Sequence, residues 1–132
     1  EKIKGIVIDL RNNAGGTLNT VISALDEFIN KGDTVFKSFA RKDEFKYNLT
    51  SKGNGSFLKI PLIVLINNKS ASGSEIFAGA IQDLDRGIII GEKSFGKGTM
   101  QKTWSLVDTT GYRITVAEFV TPSDRIIDKN SK

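Results

Sequence analysis

The apolar positions of the chain divide it into short continuous runs and longer periodic segments. Three runs, GIVIDL at 5–10, PLIVLI at 61–66 and GIII at 87–90, are almost wholly apolar, which is typical of strands buried on both faces of a sheet. Two segments between them repeat apolar residues at helical spacing. Because strands alternate with helices, the pattern predicts an α/β fold with at least part of its sheet parallel. The helical positions are Leu18, Val21, Ile22, Leu25, Phe28 and Ile29, and then Ile76, Phe77, Ala80, Ile81 and Leu84.

The remaining segments have the alternating pattern of strands. Residues 34–50 alternate in TVFKSF and EFKYNLT, and residues 100–106 and 112–120 predict a hairpin around DTTG. Gly32 and Gly87 are expected to end the two helical segments. The tail from Thr121 is polar, so we expect it to fray.

Length and composition indicate one ordinary globular domain, residues 1–132. The chain is 39% hydrophobic and 26% charged, with a net charge of +4. Its basic residues are scattered among acids, so nucleic acid is not an expected partner. No apolar run approaches ~20 residues, so no membrane-spanning segment is predicted. Since the chain starts almost directly in a strand, EKIKGIVIDL, we expect it to be part of a longer protein.

Two absences from the sequence restrict the possible chemistry. The chain has no cysteine, which excludes disulfides, a thiol nucleophile and a cysteine-based metal site. It also has no histidine, which excludes a Ser-His-Asp triad and removes the commonest zinc ligand. A nucleophilic enzyme built from this chain would need Lys, Asp or Glu as its base.

The stretch GEKSFGKGTM contains most of a phosphate-binding loop. Gly91, Gly96 and Lys97 have the spacing G-x-x-x-x-G-K. Such a loop requires a helix directly after the lysine and a Ser or Thr beside it. Gly98 follows the lysine instead, and MQKTWSLV has the pattern of a strand. A chance match is therefore favoured over a nucleotide site, and the simplest alternative is a surface lysine in a glycine-rich turn.

A serine cluster lies between the second apolar run and the second helical segment. Ser70, Ser72 and Ser74 occupy NNKSASGSE, and a strand-to-helix turn is where α/β hydrolases present a nucleophile. Free N–H groups and the dipole at a helix start also favour developing negative charge. Gly73 would let a substrate carbonyl approach closely. The alternative is ordinary helix capping by serine together with Glu75.

Lys97 is the candidate base for such a serine. Without histidine, the usual base is a lysine kept neutral, and burial lowers the pKa of lysine by disfavouring the ammonium. A glycine-rich loop beside an apolar strand could enclose it. Gly15 and Gly16 follow the first strand as the serines follow the second. If those strands are parallel neighbours, the glycine amides could be oxyanion donors, although a plain tight turn is equally compatible with the sequence.

Three stretches together carry a family resemblance. DLRNNAGG, SASGSEIFAGAIQD and GEKSFGKGTMQ resemble the C-terminal processing peptidases, also called tail-specific proteases, over residues 4–127. The resemblance implies a serine endopeptidase in which Ser72 is the nucleophile and Lys97 the base. It implies that Gln101, four residues after the lysine, orients that lysine in some members. It implies no metal and no organic cofactor.

The resemblance also implies the surroundings of this pair. Backbone amides of Gly73 and of Gly15 or Gly16 would form the oxyanion hole, and Asp83 would have a structural or supporting role. The implied fold is an α/β core of the crotonase and Clp-protease type with a mixed, partly parallel sheet and flanking helices. The implied partners are C-terminal tails of protein or peptide substrates and a PDZ domain of the parent chain, in the periplasm, cell envelope or chloroplast lumen. A non-catalytic binding module, or an inactive isolated core, remains the alternative.

Overall fold

The computed structural model describes residues 3–53 and 55–129, in which two helices pack with two sheets. The elements in chain order are β1 (Ile6–Asp9), α1 (Leu18–Leu25), β2 (Thr34–Phe39), a 3-10 turn (Asp43–Phe45), β3 (Asn48–Thr50), β4 (Leu62–Ile66), α2 (Gly73–Asp83), β5 (Ile88–Gly91), β6 (Thr99–Ser105) and β7 (Gly111–Val120).

The first sheet is parallel and has the strand order β1-β4-β5. Ile6 pairs with Leu62 in one ladder, and Ile63 pairs with Ile88 in the other. Helix α2 connects β4 to its parallel neighbour β5, which is a βαβ unit. The predicted α/β class with a partly parallel arrangement is therefore confirmed.

The second sheet is antiparallel and has the strand order β3-β2-β7-β6. Strands β6 and β7 form the predicted hairpin, with Ser105 opposite Gly111 at its turn. The register shifts between Met100 and Gln101, so β6 bends at the end that adjoins the preceding loop. The parallel and antiparallel strands, expected in one mixed sheet, thus form two separate sheets.

The hydrophobic core contains residues of both sheets and both helices. Leu25, Val64, Ala80 and Ile81 are each 0% exposed. Helix α2 is buried continuously over residues 73–81, whereas the sequence predicted one apolar face. Its small residues allow this, because Gly79 packs so closely on the Thr121 side chain that an added Cβ would lie 2.8 Å from Thr121 Cγ2.

Helix α1 ends earlier than predicted. It stops at Leu25, not near Gly32, and the chain continues in tight turns that still bury Phe28 and Ile29. The Asp26 carboxylate accepts hydrogen bonds from the Ser51 hydroxyl at 2.6 Å and from the Lys52 N–H at 3.0 Å. These distant partners hold the helix end, and they cannot be read from local spacing.

The outer strands of the parallel sheet are covered on one face only. Val7 of β1 is 61% exposed and Ile88 of β5 is 63% exposed, so the prediction that these strands are buried on both faces was wrong for this chain. Their inward-facing residues, such as Ile6, Ile8 and Ile89, pack against the core. Continuous apolar runs predict a strand correctly, but they do not reveal which face receives a covering layer.

The tail also differs from its prediction, because residues 121–129 pack against the rest of the fold. The Thr121 N–H donates to the Arg125 carbonyl at 3.0 Å, Val120 bridges to Ile126, and Ile127 contacts the core. Polar composition suggested fraying because these partners are distant in sequence. Within the described residues, neither helix is long and apolar enough to cross a membrane.

Candidate active site

Three loops meet at the carboxyl edge of the parallel sheet. They are residues 10–17 after β1, 67–72 after β4 and 92–98 after β5. The Asn67 side chain donates to Asn12 Oδ1 at 3.1 Å, and the Phe95 N–H donates to the Ser70 carbonyl at 3.0 Å. Because neighbouring parallel strands end on the same side, the glycine turn and the serine loop lie side by side, as predicted.

The three serines of the cluster have different surroundings. Ser70 is fully buried, and its hydroxyl donates to the Leu10 carbonyl at 2.7 Å. Ser74 is also buried, and its hydroxyl donates to the Asn13 carbonyl at 2.9 Å. Ser72 is only half-buried, and it lines an open cavity. Two of the serines therefore hold the first loop to the second, which leaves Ser72 as the serine that a substrate could reach.

Ser72 occupies the N-cap position of α2 in a strained backbone conformation. Its φ is 54° and its ψ is −113°, a region that non-glycine residues rarely adopt and that is concentrated at functional sites. Glu75 stands at the third helical position and accepts a hydrogen bond from the Ser72 N–H at 2.8 Å. The glutamate part of the capping interpretation is therefore confirmed, and it coexists with the exposure of Ser72 to the cavity.

The cavity has a volume of about 330 Å³ and joins the separate sequence motifs. Ser72, Lys97 and Gln101 line it together with Gly16. Much of its remaining wall is apolar and comes from α1, α2 and the antiparallel sheet. These apolar residues are Leu18, Phe36, Ile76, Met100 and Phe119, and Arg113 is the other charged residue in the wall.

Lys97 lies in the third loop, between two glycines. Its backbone bridges to Asp128, and its N–H donates to Glu75 Oε2 at 2.9 Å. The glycine-rich loop was expected to enclose this lysine, but the residue is exposed. Lys97 lines the cavity on one side and, on the other, a second pocket that the tail helps to form. A strand follows the loop, so the helix that a phosphate site requires is not there.

Gln101 follows the lysine on β6 and lines the same cavity. Among the described residues, its side chain makes no hydrogen bond to Lys97. The register shift between Met100 and Gln101 gives this part of β6 an irregular backbone. The structure thus brings Gln101 to the site, while an orienting contact with the lysine stays a prediction.

The glycine turn packs directly on the start of α2. Gly15 has φ +92°, and an added Cβ would lie 2.5 Å from the Gly73 nitrogen; only glycine allows this approach. The Gly15 N–H donates to Asn13 Oδ1 at 2.8 Å. Gly16 lines the cavity instead, and its nitrogen would lie 2.9 Å from a Cβ added at Gly73. Of the two glycines, only Gly16 therefore combines a place in the cavity wall with a backbone N–H that no described acceptor uses.

Asp83 lies at the other end of α2, away from the cavity. Its carboxylate accepts hydrogen bonds from the Ser123 N–H at 2.9 Å and from the Ser123 hydroxyl at 2.6 Å, and it pairs with Arg125. Burial raises the pKa of Asp83, but hydrogen bonds from Ser123, Thr121 and Arg125 outweigh it and leave the pKa below its ordinary value. These contacts give Asp83 a structural position that fastens the tail to the helix.

Glu75 has a larger role at this site than the sequence indicated. The sequence assigned it to local capping only, yet its carboxylate also accepts hydrogen bonds from the lysine loop. An acidic residue inside an otherwise apolar helical pattern was the available signal. Within residues 3–53 and 55–129, no group of three or more acidic side chains could hold a metal ion.

Comparison with known proteins agrees with this arrangement of motifs. The model of Peptidase family S41 matches residues 1–131. The chain belongs to peptidase family S41. Among curated S41 relatives, it is 46% identical over 123 residues to a carboxy-terminal-processing protease of Bartonella bacilliformis, covering 93% of this chain and 28% of the relative. It is 37% identical over 127 residues to a chloroplastic C-terminal processing peptidase of Tetradesmus obliquus, covering 96% and 27%.

Two solved structures share the fold of this chain. The photosystem II D1 C-terminal processing protease superposes with a TM-score of 0.85 at 34% identity, covering 96% of this chain and 32% of that one. Mature CPAF superposes with a TM-score of 0.79 at 13% identity, covering 96% and 37%, which shows the fold alone. The chain thus spans between a quarter and two fifths of the length of these relatives.

Proposed function

We propose that this chain is the core of a serine endopeptidase that cleaves proteins near their C-termini through Ser72 and Lys97. The observation that carries the proposal is the cavity, because it contains the strained serine and the lysine from two different loops. The curated relatives reported above are processing proteases by name, which supports the same activity. Neither Ser70 nor Ser74 offers an alternative nucleophile, since both hydroxyls are buried and hydrogen-bonded to backbone.

The proposed reaction is acyl transfer. As neutral Lys97 Nζ takes the proton of Ser72 Oγ, that oxygen attacks the scissile carbonyl carbon, and the electron pair of the C=O bond moves to the carbonyl oxygen. When this tetrahedral species collapses, the C–N bond breaks and the lysine returns the proton to the leaving amine. Water, deprotonated by the same lysine, then hydrolyses the acyl-enzyme and restores the serine hydroxyl.

Backbone N–H groups at the helix start would stabilise the oxyanion. Gly73 and Gly16 are adjacent in space, and Gly16 lines the cavity. Their N–H groups have no acceptor within the described part of the chain, whereas the Gly15 N–H is already used by Asn13. We therefore assign the two donors to Gly73 and Gly16, with Gln101 orienting the lysine when substrate is bound.

The cavity wall suggests what the site binds. Leu18, Ile76 and Phe119 form part of an apolar surface beside the serine, which suits an apolar side chain next to the cleaved bond. The substrates would be protein or peptide tails, presented by a PDZ domain of the parent chain. By analogy with chloroplastic and bacterial relatives, the protein would act outside the cytoplasm, in the periplasm or cell envelope.

A non-catalytic or inactive core is the second candidate, and one observation favours it. Lys97 is exposed and lacks a contact with Gln101 among the described residues. Lysines that serve as bases are usually enclosed by neighbouring groups, and the described residues leave this one open to solvent. On this alternative, the 132-residue chain binds peptide in the cavity, and catalysis requires an enclosure that bound substrate or further chain would supply.

Cleavage of an unfolded model protein tests the proposal. Ser72→Ala and Lys97→Ala should each lower kcat/KM by about 10²-fold or more, because nucleophile and base act as one unit. Ser105→Ala and Lys69→Ala are matched exposed controls and should retain activity. The natural full-length protein and the 132-residue chain are assayed side by side. Activity in the full-length protein alone would mean that the isolated core is inactive, and no activity in either would mean that the whole protein is not a peptidase. Full activity of Lys97→Ala would overturn the assignment of the base.

A further inference from the structure

Glu75 is a buried carboxylate that contacts two of the three loops at the site. The residue is 4% exposed and lies in the first turn of α2. Its Oε2 accepts hydrogen bonds from the Ser72 N–H at 2.8 Å and the Lys97 N–H at 2.9 Å. Its Oε1 accepts from the Ser94 hydroxyl at 2.7 Å and the Gly96 N–H at 2.6 Å.

Helix capping explains only one of these four contacts. The Ser72 N–H belongs to the helix start, where a third-position glutamate is a usual partner. Ser94, Gly96 and Lys97 lie 19 to 22 residues further along the chain. Both oxygens are used, and each donor would be left without its acceptor inside the protein if the carboxylate were removed.

The contacts join Ser72, the proposed nucleophile, to Lys97, the proposed base. One oxygen, Oε2, binds the backbone of Ser72 and of Lys97 together. Since a hydrogen bond of this type varies by only a few tenths of an ångström, the spacing of the two backbones is restrained by a single atom.

We propose that Glu75 is a positioning residue that holds the Lys97 loop in register with Ser72. Its catalytic consequence rests on the proposed function, while its effect on loop order does not. The Glu75 side chain does not line the cavity and does not reach the reacting atoms; it acts through the backbone N–H groups of Ser72 and Lys97, which do line it. Losing it should misplace the lysine relative to the serine without changing the apolar surface that binds substrate.

Glu75→Gln is a sharp test, because it keeps the shape and removes one acceptor. If the amide group replaces Oε1, the Ser94 hydroxyl can rotate to accept, but the Gly96 N–H then faces another donor. If it replaces Oε2, the Ser72 and Lys97 N–H groups both face a donor. Either orientation releases at least one backbone N–H, so amide exchange in residues 94–97 should accelerate by roughly tenfold or more.

The variants are compared in the natural full-length protein by NMR-detected amide exchange and by peptide cleavage. We expect Glu75→Gln to lower kcat by about 10²-fold with KM nearly unchanged. Glu92→Gln changes an exposed glutamate at the start of the same loop and should alter neither measurement. Ser94→Ala removes one donor and keeps the buried carboxylate, so it should give a smaller effect of the same kind.

Each result has a distinct meaning. Unchanged exchange at Gly96 and Lys97 in Glu75→Gln would overturn the proposal whatever the activity. If Glu75→Gln fails to fold, unchanged exchange and kcat in Ser94→Ala would overturn it. A rise in KM equal to the fall in kcat/KM would also contradict it, because positioning of the base affects kcat. Faster exchange in a protein that never cleaves peptides would refute the proposed function and leave the positioning role intact.

Discussion

At the scale of single residues, Asp83 shows how a side chain outside the cavity connects pH to folding. Hydrogen bonds from Ser123 and its pairing with Arg125 depend on the charged carboxylate. Because the pKa of Asp83 is lower in the folded chain than its ordinary value, the folded state binds its proton less tightly than the unfolded state. Stability from this group is therefore present above the ordinary pKa of aspartate, and it is lost as the pH falls through the lower, folded pKa.

Replacing this carboxylate should change how stability depends on pH. Asp83→Asn should lower the free energy of unfolding by about 2 kcal/mol at pH 7, and the difference from wild type should shrink as the pH falls below the ordinary aspartate value of about 3.9. Urea unfolding between neutral and strongly acidic pH measures this. Asp85→Asn, at an exposed neighbour, is the control. A difference that stays constant with pH would contradict the assigned role of the charge.

At the scale of elements, the tail segment 126–129 is what confines the lysine loop. A Cβ added at Gly98 would lie 2.0 Å from the Ile127 carbonyl oxygen, and one added at Gly96 would lie 2.3 Å from the Lys129 nitrogen. The backbones of the two segments thus touch on both sides of Lys97. The glycines on both sides of Lys97 permit this close approach.

Gly98→Ala should therefore separate the tail from the lysine loop. Overpacking of this kind costs about 1–3 kcal/mol, and displacement of the loop should also reduce any Lys97-dependent cleavage. Gly5→Ala is a suitable control, because its added Cβ would meet the Pro61 carbonyl oxygen at an ordinary 3.5 Å. Thermal unfolding and amide exchange of residues 96–98 test the pair. Equal free energies of unfolding for the two variants would show that the tail moves aside without destabilising the fold.

At the scale of the whole molecule, Arg86 ties together parts of the chain that are far apart in sequence. Its guanidinium follows α2 and donates to the carbonyls of Phe28 at 2.6 Å and Ile60 at 2.8 Å, and also to that of Phe57. It thus joins the turn after α1, the segment before β4 and the connection to β5. Partial burial lowers the pKa of Arg86, and the three carbonyls supply acceptors for this half-buried charge.

Arg86→Lys should be destabilising although it retains the charge. An ammonium is a compact group that cannot match the planar fork of donors, so at least one buried carbonyl should lose its partner at a cost of about 1–3 kcal/mol. The midpoint of urea unfolding measures the change. Arg41→Lys, at an exposed arginine, should leave the midpoint nearly unaltered. Similar midpoints for Arg86→Lys and Arg41→Lys would mean that the planar guanidinium of Arg86 contributes no more to stability than an ammonium does.

The sequence by itself determined the elements and most of the candidate chemistry. Apolar runs and helical spacing predicted β4, α2 and the β6–β7 hairpin, because these patterns depend on neighbours within a few residues. The absence of cysteine and histidine left lysine as a plausible base. The strand after the glycine loop was also predictable, and it excluded the context that a phosphate site requires.

Only the tertiary structure decided which residues meet. It separated Ser72 from the buried Ser70 and Ser74, placed Lys97 on an exposed loop, and connected that loop to the serine through Glu75. It also packed the polar tail against α2 and left one face of β1 and β5 uncovered. All of these outcomes depend on contacts between segments distant along the chain, and local periodicity carries no information about such contacts.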